Sequence, residues 1–292
     1  MVRHAFYVLL SIALAGGTAR AQGAQASFKT VERLAPPLGC DRVGVEDGLP
    51  HTNVTAIAQD QLGFVWFGTG GGGLGRYDGL QMYVYRPKAN DPTSLSSGFI
   101  TSLAVGGDGA LWVGTADAGV SRWDPKTNAF TRFDKDKLGS ERVTAIARDR
   151  KDRMWFAIEG NGLVRFDPST GELTPYDDKP LDVGITSLSA DAKGNLWLGT
   201  ASPRVIRWNP DDGSNQVFDL APGNQAFADM PVSAVLAAST GKVFAGTKGA
   251  GLFELDPGTG KIVARRHSPT DPATLTADEV SVLFEDKQHV VW

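Results

Sequence analysis

One short segment recurs along this chain and limits what the chain can fold into. Its centre is an aromatic residue followed by a small residue and usually by Thr, as in residues 66–69, and it returns at intervals of about 42 to 48 residues. The aromatic positions are Trp66, Trp112, Trp155, Trp197, Phe244 and Trp292. A period of about 40 to 50 residues is typical of four-stranded propeller blades.

Each repeat predicts four strands in a fixed order. A short apolar run such as residues 54–57 predicts an inner strand, and an Asp/Gly turn leads to the aromatic strand, whose Gly lets a neighbouring blade approach. A Gly-rich turn, a third strand ending at residues 76–78 and an outer strand complete the unit. The sequence therefore predicts an all-β fold, a β-propeller of four-stranded antiparallel blades with about five blades and part of a sixth.

Three regions are expected along the chain. Residues 1–21 have a basic start, a short apolar core and a small-x-small cleavage pattern, which indicates a signal peptide. Residues 22–42 are a polar spacer, and residues 43–292 are expected to form the propeller domain. Residues 42–49 are expected to take the place of an outer strand. Because the chain stops inside the sixth repeat, we expect the domain to be truncated at its C-terminus.

The repeat also resembles a known family. Gly48, Leu49 and residues 53–79 are similar to the two-component regulator propeller repeat, which forms periplasmic ligand-sensing domains of hybrid histidine kinases and some diguanylate cyclases. The resemblance implies a periplasmic domain that binds a small molecule, with carbohydrates as one class. It also implies a kinase or cyclase module further along an inner-membrane-anchored parent, and it allows a dimer formed through the full-length receptor. No catalytic role or cofactor is expected for this chain itself.

Candidate ligand-binding residues are the ones that vary between repeats while the strand positions stay constant. They come just before the inner strands or in the loops before the third strands, which should all lie on one rim, where convergent polar groups suit a small ligand. The candidates are Asn53, Asp117, Arg142, Glu159, Asn161, Arg204 and Lys248. The long connections at residues 86–98 and 266–278 are interpreted as capping turns instead.

Other functions leave weaker signals. The net charge of −4 disfavours nucleic acid as a partner. The G-x-G-x-x-G spacing at residues 70–75 is interpreted as a turn, because a strand and not a helix should follow it. The acidic pairs at residues 134–136, 177–178 and 211–212 lack the pattern of a calcium loop, and the histidines lack metal-ligand spacing. A streptogramin-lyase-like enzyme using His51 and His267, or a structural or adhesive propeller, stays open as an alternative.

Overall fold

The repeats fold into five antiparallel sheets of four strands each, in a computed structural model that describes residues 42–177, 180–181, 183–286 and 288–292. Within every sheet the strands are hydrogen-bonded in chain order. The predicted fold class is thereby confirmed. The predicted signal peptide, and the spacer apart from residue 42, lie outside the described residues.

The first three blades have the following strands. Blade 1 consists of β1 (Val54–Gln59), β2 (Val65–Thr69), β3 (Leu74–Tyr77) and β4 (Met82–Tyr85). Blade 2 consists of β5 (Ile100–Val105), β6 (Leu111–Thr115), β7 (Val120–Asp124) and β8 (Ala129–Phe133). Blade 3 consists of β9 (Val143–Arg148), β10 (Met154–Ile158), β11 (Leu163–Phe166) and β12 (Leu173–Tyr176).

The next two blades repeat the pattern, and short helices lie between elements. Blade 4 consists of β13 (Ile185–Ala190), β14 (Leu196–Thr200), β15 (Arg204–Trp208) and β16 (Asn215–Asp219). Blade 5 consists of β17 (Val232–Ala237), β18 (Val243–Thr247), β19 (Leu252–Leu255) and β20 (Ile262–Arg265). The helices of the described residues are α1 (Lys135–Leu138) and the 3-10 turns Val45–Asp47 and Gln225–Phe227.

The repeated aromatic residues of blades 1 to 5 form the core between blades, whereas Trp292 of the sixth repeat is 66% exposed. Trp66, Trp112, Trp155 and Trp197 are at most 2% exposed, and Phe244 is also buried. Each of the first three tryptophans contacts an aromatic ring on the third strand of the next blade; the centroids of Trp66 and Trp123, for example, are 4.7 Å apart. Burying such large rings removes much apolar surface from water, so these contacts join neighbouring blades.

A β-bulge in every inner strand joins each blade to the next. The pairing of first and second strands skips one residue near the start of the inner strand. The skipped residues are Thr55, Thr101, Thr144, Thr186 and Ser233. Their hydroxyls donate hydrogen bonds to the carbonyl of the first inner-strand residue of the following repeat. The bulge turns a side chain out of the ladder, which is why a small hydroxyl residue recurs there.

The repeated Gly of the aromatic strand also makes a close contact between blades. A Cβ added to Gly199 would lie 2.7 Å from Val232 Cγ1 in the next blade, and one added to Gly68 would lie 2.5 Å from Ile100 Cγ2. No side chain fits at these distances without displacement. This confirms the predicted reason for glycine at this position.

Both ends of the described region differ from the predicted strands. Residues 42–49 form no outer strand, because Asp47 accepts a hydrogen bond from Gly44 N and closes the 3-10 turn Val45–Asp47. In the sixth repeat, residues 280–283 lie beside blade 5 through a hydrogen bond from Val280 N to Thr247 O. They form no strand ladder, since the pairing that follows them is limited to a short hairpin between Phe284 and Trp292.

Candidate functional site

The variable positions of each repeat lie side by side on one edge of the blades. In blades 1 to 5 the residue before the inner strand accepts a backbone hydrogen bond from the residue after the second strand. The acceptor and donor pairs are Asn53 and Gly70, Phe99 and Ala116, Arg142 and Glu159, Gly184 and Ala201, and Pro231 and Lys248. We call this edge the upper rim and the opposite edge, with the turns from first to second and from third to fourth strands, the lower rim.

Arg142 and Glu159 form an exposed ion pair on the upper rim. Arg142 Nε lies 3.6 Å from Glu159 Oε1, and the two side chains are 53% and 63% exposed. Such pairs contribute little to stability because water solvates both groups. Both side chains are therefore accessible to a ligand from solvent.

Asn161 is held by the connection between blades 2 and 3. Its Nδ2 donates a 2.7 Å hydrogen bond to the carbonyl of Leu138, the last residue of α1. The side chain thus positions the connection between blades 2 and 3. Whether it also contacts a ligand stays a prediction.

Asn53, Arg204 and Lys248 lie in three different blades. All three are exposed, Arg204 is the first residue of β15, and Lys248 forms an isolated bridge with Glu279 of the sixth repeat. No direct side-chain contact joins these three residues in the described part of the chain. The structure therefore brings the predicted residues to one rim without collecting them in a single pocket.

Asp117 lines an open cavity of about 480 Å³ between blades 1 and 2. The other side chains that matter there are those of Arg86, Ser96, Ser97 and Phe99. Phe99 is the residue before the inner strand of blade 2, whereas Arg86, Ser96 and Ser97 lie in the loop interpreted as a capping turn. That interpretation is incomplete, because the loop also forms one wall of the cavity.

Glycine residues bring the two walls of this cavity together. The carbonyl of Gly98 accepts hydrogen bonds from Gly71 N and Gly73 N, at 3.0 and 3.1 Å. Gly71 has a φ of +125°, and a Cβ there would lie 3.2 Å from the ring of Phe99. The glycine run is therefore a turn that lies against Phe99, and β3 follows it, as predicted from the sequence.

The cavity combines an aromatic surface with groups of opposite charge. Phe99 is 53% exposed, which leaves a ring face open to solvent. Arg86 Nε donates to Gly72 O at 3.2 Å, so the backbone orients its guanidinium. The Asp117 carboxylate has no ion pair or hydrogen bond among the described residues. Such a surface can stack on an apolar ring face while its polar groups bind hydroxyl groups.

The two histidines of the enzyme alternative make contacts within their own loops. His51 Nδ1 accepts a hydrogen bond from Asn53 N at 3.0 Å, and His267 Nδ1 lies 2.7 Å from Leu275 O. The second ring nitrogen of each histidine has no hydrogen bond in the described residues. The structure thus leaves one nitrogen of each ring available without joining the two rings.

The described ranges contain neither a metal-binding cluster nor a membrane-spanning helix. No cluster there contains three or more His, Cys, Asp or Glu side chains in an arrangement that could hold a metal ion. Asp211, one of the acidic pair at residues 211–212, is engaged by Lys151 and Arg153. Asp178 lies outside the described residues. None of the helices described is both long and apolar enough to cross a bilayer.

Comparison with protein families identifies the repeat. Residues 48–71 and 94–117 match the family described as "Two component regulator propeller". Each of the two segments is similar to the repeat of that family. They contain the start of β1 or β5, the aromatic strand and the residues that precede the third strand, including Asp117. No curated protein sequence matches the chain.

Solved structures that resemble this propeller include two groups of proteins. One group contains extracellular domains of Bacteroides thetaiotaomicron proteins. The domain of a putative hybrid two-component system has a TM-score of 0.60 and 19% identity, and the match covers 86% of this chain and 40% of that one. The domain of a putative one-component system has a TM-score of 0.57 and 20% identity, and the match covers 82% of this chain and 36% of that one. The other group contains virginiamycin B lyase from Staphylococcus aureus, with a TM-score of 0.59 and 14% identity; the match covers 75% of this chain and 71% of that one. At these identities the likeness shows the fold. The chain spans less than half the length of both B. thetaiotaomicron domains.

Proposed function

We propose that this chain is an extracytoplasmic sensing propeller that binds a small polar molecule in the cavity between blades 1 and 2. The observation that carries the proposal is the placement of Phe99, Asp117 and Arg86 around one cavity built by two neighbouring repeats. Carbohydrates are the first class to test, because a sugar offers both an apolar ring face and hydroxyl groups.

We propose that this chain is part of a longer receptor that transmits the binding signal. The family match and the two B. thetaiotaomicron extracellular domains support a receptor located in the periplasm and anchored in the inner membrane, with a kinase or cyclase module beyond this chain. A ligand between two blades would bias the receptor only if it binds two states with different affinity. Relative movement of blades 1 and 2 would supply such a difference, since the cavity has walls on both.

Enzymatic and adhesive functions are the competing proposals. The structural likeness to virginiamycin B lyase extends to the fold, and His51 and His267 lie in separate repeats. A lyase would show metal-dependent turnover that is lost in His267→Ala. Turnover of that kind would replace the sensing proposal for this chain.

Binding is tested by calorimetric titration of the full chain with a panel of neutral mono- and disaccharides. The sensing proposal expects at least one sugar to bind and expects Phe99→Ala and Asp117→Asn each to weaken it about tenfold or more. Phe284→Ala is the matched control, because Phe284 is 60% exposed but belongs to the sixth repeat. Binding that survives both cavity substitutions, or the absence of any binding, would overturn the proposed site.

A further inference from the structure

A carboxylate closes the lower rim between blades 3 and 4. Lys151 Nζ lies 2.9 and 2.8 Å from the two carboxylate oxygens of Asp211, and Arg153 Nη1 lies 3.2 Å from one of them. Lys151 belongs to the first turn of blade 3, and Asp211 belongs to the turn between β15 and β16 of blade 4. A negative charge from one blade is thus held by two cations of the preceding blade.

The equivalent positions one blade further on have a lysine but lack the carboxylate. Lys193 follows Asp191 by two residues, as Lys151 follows Asp149, and both lysines lie four residues before the buried tryptophan. On the opposing turn Gly258 takes the place of Asp211. The equivalence is supported by the backbone, because Gly258 N donates to Asp256 Oδ1 as Asp211 N donates to Asn209 Oδ1, both at 2.9 Å.

Asn195 takes the place of Arg153 in blade 4, but another cation of this blade, Arg207, also lacks a partner. Arg207 belongs to a set of arginines that lie opposite the aromatic residue in blades 1 to 4. Arg122 binds Asp108 at 2.6 Å, and Arg165 donates to Thr174 Oγ1 at 3.2 Å. In the described part of the chain Arg207 has no ion pair, hydrogen bond or stacked ring, and Lys193 has no side-chain partner.

Lys193, Arg207 and Gly258 line the same cavity, which has a volume of about 430 Å³. Two carboxylates, of Asp191 and Asp256, also line it, but they accept hydrogen bonds from their own turns. The third cation of the lining, Lys242, is paired with Glu254 outside the cavity. The two free cationic groups therefore line the same cavity as Gly258, whose counterpart in the preceding pair of blades is the carboxylate-bearing Asp211.

We propose that this cavity between blades 4 and 5 binds a small organic carboxylate, whose carboxylate group takes the position that Asp211 occupies one blade earlier. Arg207 would bind it through its planar pair of N–H donors, and Lys193 would add a point charge at the solvent side. This site is on the lower rim, is independent of the sugar site proposed above, and differs from it in chemistry.

Succinate is a suitable probe, with succinamide as a neutral molecule of the same length. Calorimetric titration of the full chain at low salt should show succinate binding with a Kd on the order of 1 mM and weaker binding in added NaCl. Succinamide should not bind, and inorganic phosphate distinguishes a carboxylate site from a general anion site. Equal binding of succinate and succinamide, or tighter binding of phosphate, would overturn the proposal.

Substitutions locate the binding. Arg207→Gln and Lys193→Gln should each weaken succinate binding about tenfold. Gly258→Asp should abolish it, because the new carboxylate occupies the ligand's place; Gly258 is not among the positive-φ residues, and its added Cβ meets only Asp256 Oδ1, at 3.3 Å. Unchanged succinate affinity in Arg207→Gln or Gly258→Asp would refute the site.

Two further variants keep the result interpretable. The double variant Asp256→Asn with Gly258→Asp reproduces the Asn-Pro-Asp turn of blade 4 and removes the repulsion between two neighbouring carboxylates, so it replaces Gly258→Asp if that variant does not fold. Phe99→Ala should bind succinate as the unchanged chain does. Loss of succinate binding in Phe99→Ala would place the carboxylate at the upper rim and contradict this proposal alone.

Discussion

The carboxylate of Asp191 accepts a 3.0 Å hydrogen bond from the indole nitrogen of Trp197, six residues further along the chain. The same bond joins Asp60 to Trp66, Asp149 to Trp155 and Asp286 to Trp292. In blade 5 both residues change together, to Ala238 and Phe244, and Phe has no N–H that needs an acceptor. Blade 2 has Gly106 at the Asp position although Trp112 is retained, so the Asp–Trp bond is a feature of four of the six repeats.

We expect Asp191→Ala to lower the free energy of unfolding by about 1 to 3 kcal/mol, because the buried indole N–H and the turn N–H groups lose their acceptor. Trp197→Phe should lower the free energy of unfolding less when it is added to Asp191→Ala than when it is made in the unchanged chain. The difference, which is the coupling energy of the two residues, should be about 0.5 kcal/mol or more. Urea denaturation of the four variants measures this cycle. Additive effects would mean that the hydrogen bond contributes nothing.

The stability supplied by Asp191 should depend on pH. Burial raises the pKa of this carboxyl group, but hydrogen bonds from Asn195, Trp197 and the turn backbone outweigh burial and hold the pKa below its usual value. A lowered pKa means that this contribution is fully present above about pH 4 and is lost as the pH falls through the folded-state pKa. The difference in unfolding free energy between the unchanged chain and Asp191→Ala should therefore shrink between pH 7 and about pH 3. A constant difference would contradict this.

Thr144→Val should destabilise the protein by about 1 kcal/mol or slightly more. Thr144 Oγ1 donates a 2.7 Å hydrogen bond to Ile185 O in the next blade, and the substitution leaves that part-buried carbonyl without this donor. Thr52→Val is the control, since Thr52 is exposed and has no side-chain hydrogen bond among the described residues. It should change stability by less than about 0.5 kcal/mol in the same denaturation experiment. Equal effects of the two substitutions would argue against the inter-blade bond.

Gly199→Ala should cost about 1 to 3 kcal/mol, because the added methyl group would lie 2.3 Å from Ser187 Oγ and 2.7 Å from Val232 Cγ1. Gly258→Ala is the control, because Gly258 is exposed and is not crowded by another blade. The stability of the Gly258→Ala variant should be unchanged or slightly raised, because replacing glycine by alanine reduces the conformational entropy of the unfolded chain. Thermal unfolding of both variants tests the difference, and a neutral Gly199→Ala would mean that the blades can separate to admit the methyl group.

The sequence predicts the blades well because strand order and burial repeat locally. Residues 54–57 and Trp66 belong to a pattern that recurs, so their roles follow from periodicity alone. Residues 42–49 were predicted incorrectly, since the closure of a turn by Asp47 depends on one side-chain contact that no repeat shares. The six-residue spacing of Asp191 and Trp197 can be read from the sequence, but the hydrogen bond between them is not among the predictions made from it.

The candidate sites were predicted only in part, for a different reason. The rim position of Asp117 follows from the repeat, whereas the cavity beside it also needs Arg86 from the preceding blade. The lower-rim cavity depends on Lys193 and Gly258, which lie on opposing turns of two blades. Such pairs become evident only when two repeats are placed next to each other.

The hydroxyl bonds from Thr55, Thr101, Thr144, Thr186 and Ser233 run only between consecutive blades, so cohesion is transmitted from neighbour to neighbour. In such a nearest-neighbour array each interface between blades contributes its own free energy of opening, and opening one interface leaves the others intact. Amide hydrogen exchange should then reveal blocks of one or several blades that open together. A molecule bound between two blades would strengthen a single link, and its influence would reach distant blades only through the chain of intervening interfaces.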